Sequence, residues 1–187
     1  MSISLYEYLN IMYKSITNKN STLSLPVPML NIMNGGCHAN NNVDIQEFMI
    51  IPSNKFNFKD GLMKSVEVYT HLKSLLKEKG LSVSVGDEGG FAPNLKTSEE
   101  VLDLIILSIE RAGLIYLDDI SIALDCAASE LFCEDSYKLT GENKKFSSDE
   151  MIVYMQSLVD KYEIKSVEDP FDEKDWDAWK TFTKNNS

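Results

Sequence analysis

The sequence predicts an α/β fold in which short apolar strands alternate with amphipathic helices. Each predicted strand is short and almost continuously apolar, as expected when both of its faces are covered. Most segments between the strands repeat apolar residues at steps of three and four, the spacing of a helix with one buried face. Such alternation predicts βαβ units and a parallel sheet. An open doubly wound sheet and a barrel both fit these observations.

The elements of the first eighty residues follow from local apolar patterns. Residues 5–16 predict a short helix. Two apolar runs at residues 29–33 and 48–51 predict a pair of strands, because a loop rich in Gly and Asn joins them. Residues 58–79 predict the clearest helix, which Gly80 ends. Its apolar face consists of Leu62, Val66, Tyr69, Leu72 and Leu76.

The middle of the chain alternates more regularly. Residues 81–85 predict a short strand, and Thr97 then opens a helix with Glu100 as its capping-box partner. The apolar face of that helix consists of Val101, Leu104, Ile105 and Ile109, and the helix ends at Gly113. A strand is predicted at residues 120–124.

The last third of the chain continues this pattern. Residues 137–140 predict a small additional strand. Ser147 and Glu150 predict a second capping box, which begins a helix carrying Met151, Met155 and Leu158. A strand follows at residues 164–167, and a last helix carries Trp176, Trp179 and Phe182. The whole chain of 187 residues is long enough to bury one sizeable core.

Composition excludes several classes of function. The net charge of −11 would repel nucleic acid and anionic lipid, so neither is expected as a partner. Apolar runs are too short to span a membrane, and the N-terminal residues do not resemble a signal peptide, so a cytoplasmic location is expected. The three cysteines, Cys37, Cys126 and Cys133, form neither a disulfide framework nor a zinc pattern, and we expect reduced thiols.

Acidic residues follow three of the predicted strands. Glu88 lies just after the strand at 81–85, Asp125 directly follows the strand at 120–124, and Glu168 directly follows the strand at 164–167. In a parallel barrel these strand ends share one face, where three acids would repel one another unless a cation lay between them. Carboxylates without a His or Cys cluster favour magnesium, calcium or manganese over zinc. The alternative is that each acid caps a helix or lies in an ordinary loop.

Two glycine-rich stretches and two histidines are further candidates. The stretches 34–38 and 86–90 match neither a dinucleotide fingerprint nor a P-loop, so they are either simple turns or places where backbone approaches a ligand. His71 lies within a predicted helix and is expected to be structural or exposed. His38 lies in the glycine-rich loop between two strands, which is a better position for chemistry.

Five blocks of sequence resemble the enolase family, in family order. They are residues 25–39, 41–49, 85–94, 122–130 and 166–172, and the resemblance covers the chain from about residue 5 to its end. It implies an N-terminal capping domain followed by an eight-stranded β/α barrel whose first strands are partly antiparallel. Residues 1–24 would then be the end of the capping region and a linker. Residues 25–187 would be the first part of a TIM-like barrel, which is incomplete in this chain.

The resemblance also implies a function and a role for particular residues. Enolases are lyases that use Mg²⁺ to dehydrate 2-phosphoglycerate to phosphoenolpyruvate in glycolysis, and the reaction is reversible. By similarity, Asp125 and Glu168 are ligands of the metal, and Glu168 also lies against the substrate. Glu88 is the acid that helps the hydroxyl leave, and Glu47 is its carboxylate partner in the site.

Further positions follow by the same similarity. His38, Gln46 and Glu47 contact the substrate, while Asp87 and Asp169 orient their neighbours. Cys37 stands where the family usually has Ser. As a full-length protein, an enolase of this kind is expected to be a homodimer or larger. Members of the family are also reported at the cell surface or outside the cell, so those locations accompany the expected cytoplasmic one.

Other parts of the family pattern are not found in these 187 residues. They are the third metal carboxylate, the lysine base, the His-Arg-Ser phosphate segment and the N-terminal mobile loop. Two hypotheses follow: the chain is part of a working enolase, or it is a non-catalytic enolase-like remnant or binding protein. Under either hypothesis we expect the isolated polypeptide to be inactive.

Overall fold

A computed structural model describes residues 3–186, which include seven strands. The predicted strands at 29–33, 48–51, 120–124, 137–140 and 164–167 are all present, with bounds that differ by at most two residues. The seven strands are β1 (Leu30–Asn34), β2 (Glu47–Pro52), β3 (Ile120–Asp125), β4 (Phe132–Cys133), β5 (Ser136–Leu139), β6 (Lys144–Phe146) and β7 (Ser166–Glu168).

Five α-helices are described, and each corresponds to a predicted helix. Their N-terminal residues include caps that the sequence identified: Ser147 and Glu150 form the expected reciprocal capping box. The helices are α1 (Leu5–Thr17), α2 (Phe58–Glu78), α3 (Ser98–Arg111), α4 (Ser148–Tyr162) and α5 (Trp176–Asn185). None of these helices is both long enough and apolar enough to cross a membrane.

The cap of α3 differs from the predicted box. Thr97 Oγ1 accepts a hydrogen bond from the Glu100 backbone N–H at 3.1 Å, as expected. The Glu100 carboxylate, however, accepts from the Lys96 N–H at 2.8 Å instead of from the Thr97 N–H. The reciprocal half of the predicted box is therefore wrong, although the helix begins at the expected residue.

The main sheet has the strand order β1-β2-β3-β7. The pairs β1–β2 and β2–β3 are antiparallel, and only β3–β7 is parallel. The wholly parallel sheet expected from simple alternation is therefore wrong, and the partly antiparallel start implied by the family is confirmed. The four strands form an open sheet and not a closed barrel. A small second sheet has the order β4-β5-β6.

Two successive helices explain the reversed direction of β2. With one helix between two strands, the second strand starts at the same end of the sheet as the first and runs parallel to it. Here two helices, α2 and α3, lie between β2 and β3, so β3 starts at the end where β2 finishes and runs opposite to it. The strand predicted at 81–85 would have separated these helices, but only Val85 forms a single bridge, to Phe91. Phe91 occupies the edge beside β1 instead: its N–H donates to Ile32 O at 2.9 Å.

The core lies between the main sheet and helices α2 to α5. Its central side chains are completely buried, as the predicted apolar faces require. They include Phe48, Ile50, Leu72, Ile105, Leu124 and Met155. In contrast, α1 has no buried residue within the described part of the chain. The predicted boundary between residues 1–24 and 25–187 remains a prediction, and residues 1, 2 and 187 lie outside the described residues.

Candidate active site

One end of the main sheet brings the predicted carboxylates together. In the strand register, Asn34 faces Glu47, Glu47 faces Asp125, and Asp125 faces Glu168. Three acids on three neighbouring strands thus lie side by side. Asp125 and Glu168 end their strands, whereas Glu47 begins β2, because that strand runs in the opposite direction.

Two loops complete this end of the sheet. A short 3₁₀ turn, Gly36–His38, follows β1 and carries His38. The His38 carbonyl accepts a hydrogen bond from the Asp87 N–H at 3.0 Å, which places the neighbouring Glu88 beside the histidine. One ligand atom from each of His38, Glu47 and Glu88 lies within 4.8 Å of the others. The structure therefore brings together all the predicted catalytic residues that this chain contains.

Glycine is required where these loops touch. A Cβ on Gly86 would lie only 2.5 Å from the His38 carbonyl oxygen, and a Cβ on Gly35 would lie 2.4 Å from the Ile45 carbonyl oxygen. Both distances are far shorter than real carbon–oxygen contacts. Of the two meanings proposed for the glycine-rich stretches, close packing of backbone against backbone is the one observed at these positions.

The acids at this end of the sheet carry more negative charge than their surroundings neutralise. Burial raises the pKa of Glu47, and the charges of Asp125 and Glu88 raise it further, while His38 opposes the shift. The charge of Asp125 raises the pKa of Glu168, with burial and Asp169 adding to the effect. Such mutual repulsion is typical of carboxylates whose function is to hold a cation.

Asp125 is held in a defined orientation by two donors. Its Oδ1 accepts from the Ala127 N–H at 3.0 Å, and its Oδ2 accepts from Gln46 Nε2 at 3.3 Å. Gln46 thus lies against the metal-binding pair predicted from the sequence. Asp169 has a left-handed backbone, with φ of 44°, and its carbonyl accepts from the Ala128 N–H at 2.9 Å. This contact links the loops that follow β3 and β7.

Asn34 was not predicted as a site residue, whereas His71 lies outside the site, as expected. Asn34 is completely buried at the end of β1, and neither atom of its side-chain amide has a hydrogen-bond partner in the described residues. The only available signal was a polar residue ending an apolar strand before two glycines. His71 is partly exposed within α2, and none of Glu47, Glu88, Asp125 and Glu168 is adjacent to it in the sequence.

Comparison with known proteins identifies the family. The family model described as "Enolase, C-terminal TIM barrel domain" matches residues 22–187. The chain belongs to the enolase family. An enolase from Legionella pneumophila (strain Lens) is 51% identical over 166 residues, which cover 89% of this chain and 39% of the relative. An enolase from Natranaerobius thermophilus is 48% identical over 178 residues, covering 95% of this chain and 42% of the relative.

The chain corresponds to only part of the length of an enolase. It spans about two fifths of the length of the curated enolases it matches. The matched residues include every predicted site residue, from His38 to Glu168. The family and the incomplete barrel are therefore established by these matches together with the open four-stranded sheet.

Proposed function

We propose that this chain supplies part of the active site of an enolase, which dehydrates 2-phosphoglycerate to phosphoenolpyruvate. The observation that carries the proposal is the row of Glu47, Asp125 and Glu168 across three strands, with Glu88 held against the same end of the sheet. The match to enolases at about half identity supports the same reaction. The whole protein would then act in glycolysis and, in reverse, in gluconeogenesis.

Asp125 and Glu168 fit a hard divalent cation, and we assign them to Mg²⁺. Both provide only oxygen ligands, which is the chemistry that Mg²⁺ prefers, and they face each other in register across the parallel pair β3–β7. When bound, the metal supplies positive charge that stabilises the anionic intermediate formed when a proton beside a carboxylate is removed. It also allows a chain of net charge −11 to hold an anionic substrate.

We infer that Glu88 and Glu47 act together in the departure of the hydroxyl group. The leaving group needs a proton from an acid at its own location. Glu88 lies on an exposed loop beside Glu47. Burial and the neighbouring acids raise the pKa of Glu47. We therefore assign the proton donor to Glu88 and an assisting carboxylate to Glu47. His38, whose Nδ1 lies 3.6 Å from Glu47 Oε1, and Gln46, whose amide contacts Asp125, are assigned to the substrate.

A chimaera tests this proposal directly. Residues 22–187 replace the matching segment of the Legionella pneumophila enolase, and formation of phosphoenolpyruvate is followed by absorbance. We expect Mg²⁺-dependent turnover, which a chelator removes. Glu88→Gln should lower kcat by about 10² to 10⁴, the usual contribution of a general acid, with little change in KM. Glu67→Gln, an exposed change on α2, is the matched control and should leave kcat unchanged.

Two outcomes would contradict the proposal. A correctly folded chimaera without turnover would mean that this segment does not carry a working enolase site. Normal kcat in Glu88→Gln would remove Glu88 from the acid role. A polypeptide limited to the 187 residues should form no phosphoenolpyruvate, because we find no lysine base or phosphate segment of the family in it. We also infer that the full-length protein is cytoplasmic and at least dimeric.

A further inference from the structure

We propose that Asn34 is a positioning residue, which holds the loop at residues 86–90 so that Glu88 can donate its proton. Asn34 is the last residue of β1, and its side chain is completely buried. The inference rests on the proposed function, because it concerns how the assigned acid is held. It adds a residue that acts through Glu88 and has no assigned contact with the substrate or the metal.

The side chain of Asn34 packs against both ends of this loop. A Cβ on Gly86 would lie 2.9 Å from Asn34 Cβ and 3.0 Å from Asn34 Cγ. A Cβ on Gly90 would lie only 2.5 Å from Asn34 Oδ1. The absence of a side chain at both glycines therefore lets the loop backbone approach the amide closely. One side chain thus lies against the chain both before and after Glu88.

The loop is a compact unit that can be held at its ends. The Gly86 N–H donates a hydrogen bond to the Gly90 carbonyl at 2.8 Å, and the Gly89 N–H donates to the Gly86 carbonyl at 3.1 Å. The hydroxyl of Tyr69, on α2, donates to the Gly89 carbonyl at 2.9 Å. A shift of the two ends against Asn34 would therefore carry Glu88 with it.

Packing alone does not account for an amide at this position. Neither Oδ1 nor Nδ2 of Asn34 has a hydrogen-bond partner within the described residues. The same is true of the amide of Asn31, whose Oδ1 lies 2.9 Å from the Cβ position of Gly90. A buried amide without a partner costs free energy of folding, which an apolar side chain would avoid. The Asn34 amide is therefore free to bond peptide groups of the loop, since hydrogen bonds of an active site often tighten only when the substrate binds.

The charge around Asn34 favours a neutral side chain there. Asn34 faces Glu47 in the register of β1 and β2, at the start of the row that continues to Asp125 and Glu168. Side chains paired in this way share one face of the sheet, with Cβ atoms about 5 Å apart. An acid at this position would add to the repulsion among the carboxylates, and a lysine would neutralise charge that is assigned to Mg²⁺. An amide can bond the loop without changing that charge.

Asn34→Ala in the chimaera that contains residues 22–187 tests this role. We expect kcat to fall by about 10- to 100-fold with little change in KM, because a small misplacement of a catalytic group causes losses of this size. Ser108→Ala is the matched control: it also removes a completely buried polar group, near the end of α3 that leads to the start of β3. This control should leave kcat unchanged. Asn34→Ser, which keeps a small polar group too short to reach both glycines, replaces Asn34→Ala if that variant does not fold.

A double replacement shows whether Asn34 acts through Glu88. In the Glu88→Gln chimaera the acid is already absent, so adding Asn34→Ala should lower kcat by less than about twofold. An equal loss in both backgrounds would overturn the inference, and so would a normal kcat in Asn34→Ala. Failure of both Asn34 variants to fold would assign the residue to stability alone and would overturn it too. A chimaera without turnover before Asn34 is changed contradicts the proposed function itself, and the inference falls with it.

Discussion

Two buried carboxylates fix the segment that leads into the candidate active site. Asp44, which is 6% exposed, accepts hydrogen bonds from the Gly141 and Glu142 N–H groups at 2.9 and 3.0 Å. The side chain of Glu142, 3% exposed, accepts from the Ser98 N–H at 2.7 Å and forms an ion pair with Lys144 at 2.6 Å. Together they connect the chain just before Gln46 to the β5–β6 turn and to the start of α3.

Glu142 should make stability depend on pH on the acidic side. Burial alone would raise its pKa, but Lys144 and hydrogen bonds from Ser98 and Tyr154 lower the pKa below the ordinary 4.5. The folded state therefore holds this proton less tightly than the unfolded state. The stabilisation is complete above the ordinary pKa and is lost as pH falls through the lowered folded pKa.

Glu142→Gln is the corresponding test. We expect it to lower the free energy of unfolding by about 1–3 kcal/mol at pH 7, the usual value of hydrogen bonds to a charged group. The difference in stability between the two proteins should shrink below pH 4.5. There the unfolded original chain takes up a proton on Glu142, and the folded chain does so as pH falls through its lowered pKa. Urea denaturation at several pH values measures both effects, and Glu110→Gln on the exposed face of α3 is the control. A difference independent of pH would contradict the assigned role.

At the scale of single residues, the positions of the charged site residues could be predicted from the sequence better than the burial of polar side chains. Asp125 and Glu168 could be predicted because each directly follows an apolar strand. Asn34, Asp44 and Glu142 could not, since a polar residue gives no local sign that the folded chain will cover it. Their burial depends on contacts with segments up to about a hundred residues away, as in the Asp44–Glu142 pair.

At the scale of elements, local periodicity predicted the helices and most of the strands correctly. The exception was residues 81–85, which have an apolar pattern but are not paired as a strand. Phe91, from the following loop, takes the hydrogen bonds beside β1 instead and stacks on Tyr69 of α2 at 4.3 Å. Competition of this kind between two segments for one strand edge is decided by tertiary packing, which a local pattern does not record.

The loop at residues 86–90 should be sensitive to a single methyl group. Gly86→Ala would place a Cβ 2.5 Å from the His38 carbonyl oxygen, so one of the two loops must move. We expect a loss of about 1–3 kcal/mol in the free energy of unfolding, as in other overpacked positions, together with a lower kcat in the chimaera, because the loop that carries Glu88 is displaced. Chemical denaturation and the phosphoenolpyruvate assay of the chimaera measure these quantities.

Gly113→Ala provides the contrast for this prediction. Gly113 has a φ of 73° but open space around its Cβ position, and it lies at the end of α3, away from the acids. Its replacement should cost about 1 kcal/mol of stability through backbone strain alone and leave the kcat of the chimaera unchanged. If both variants have a normal kcat, the contact between Gly86 and His38 does not position Glu88.

At the scale of the whole molecule, the apolar surface is concentrated near the N-terminus. Large apolar side chains of α1 are strongly exposed, including Leu5 at 72% and Ile16 at 74%. The sheet also ends at β7, which pairs with β3 on one side only. Exposed apolar patches and open strand edges both promote association.

A polypeptide of these residues is therefore expected to self-associate. The effect should increase with concentration in sedimentation or light-scattering measurements. Replacing both Leu5 and Ile16 with Lys should reduce it, because the α1 surface would carry charge. Val153→Lys, at a similarly exposed position on α4, is the control and should change association much less. Equal effects of the two charge changes would show that α1 is not the associating surface.

The reversed direction of β2 also decides where the protein can be extended by engineering. Because β2 begins at the acidic end, its connection to α2 at residues 53–57 emerges at the opposite end of the sheet, as does the connection between α3 and β3 at residues 112–119. Reporter peptides or small inserted domains placed in these two connections would leave the acidic end undisturbed. In an all-parallel barrel, the connection after the second strand would instead have been the least suitable place for an insertion.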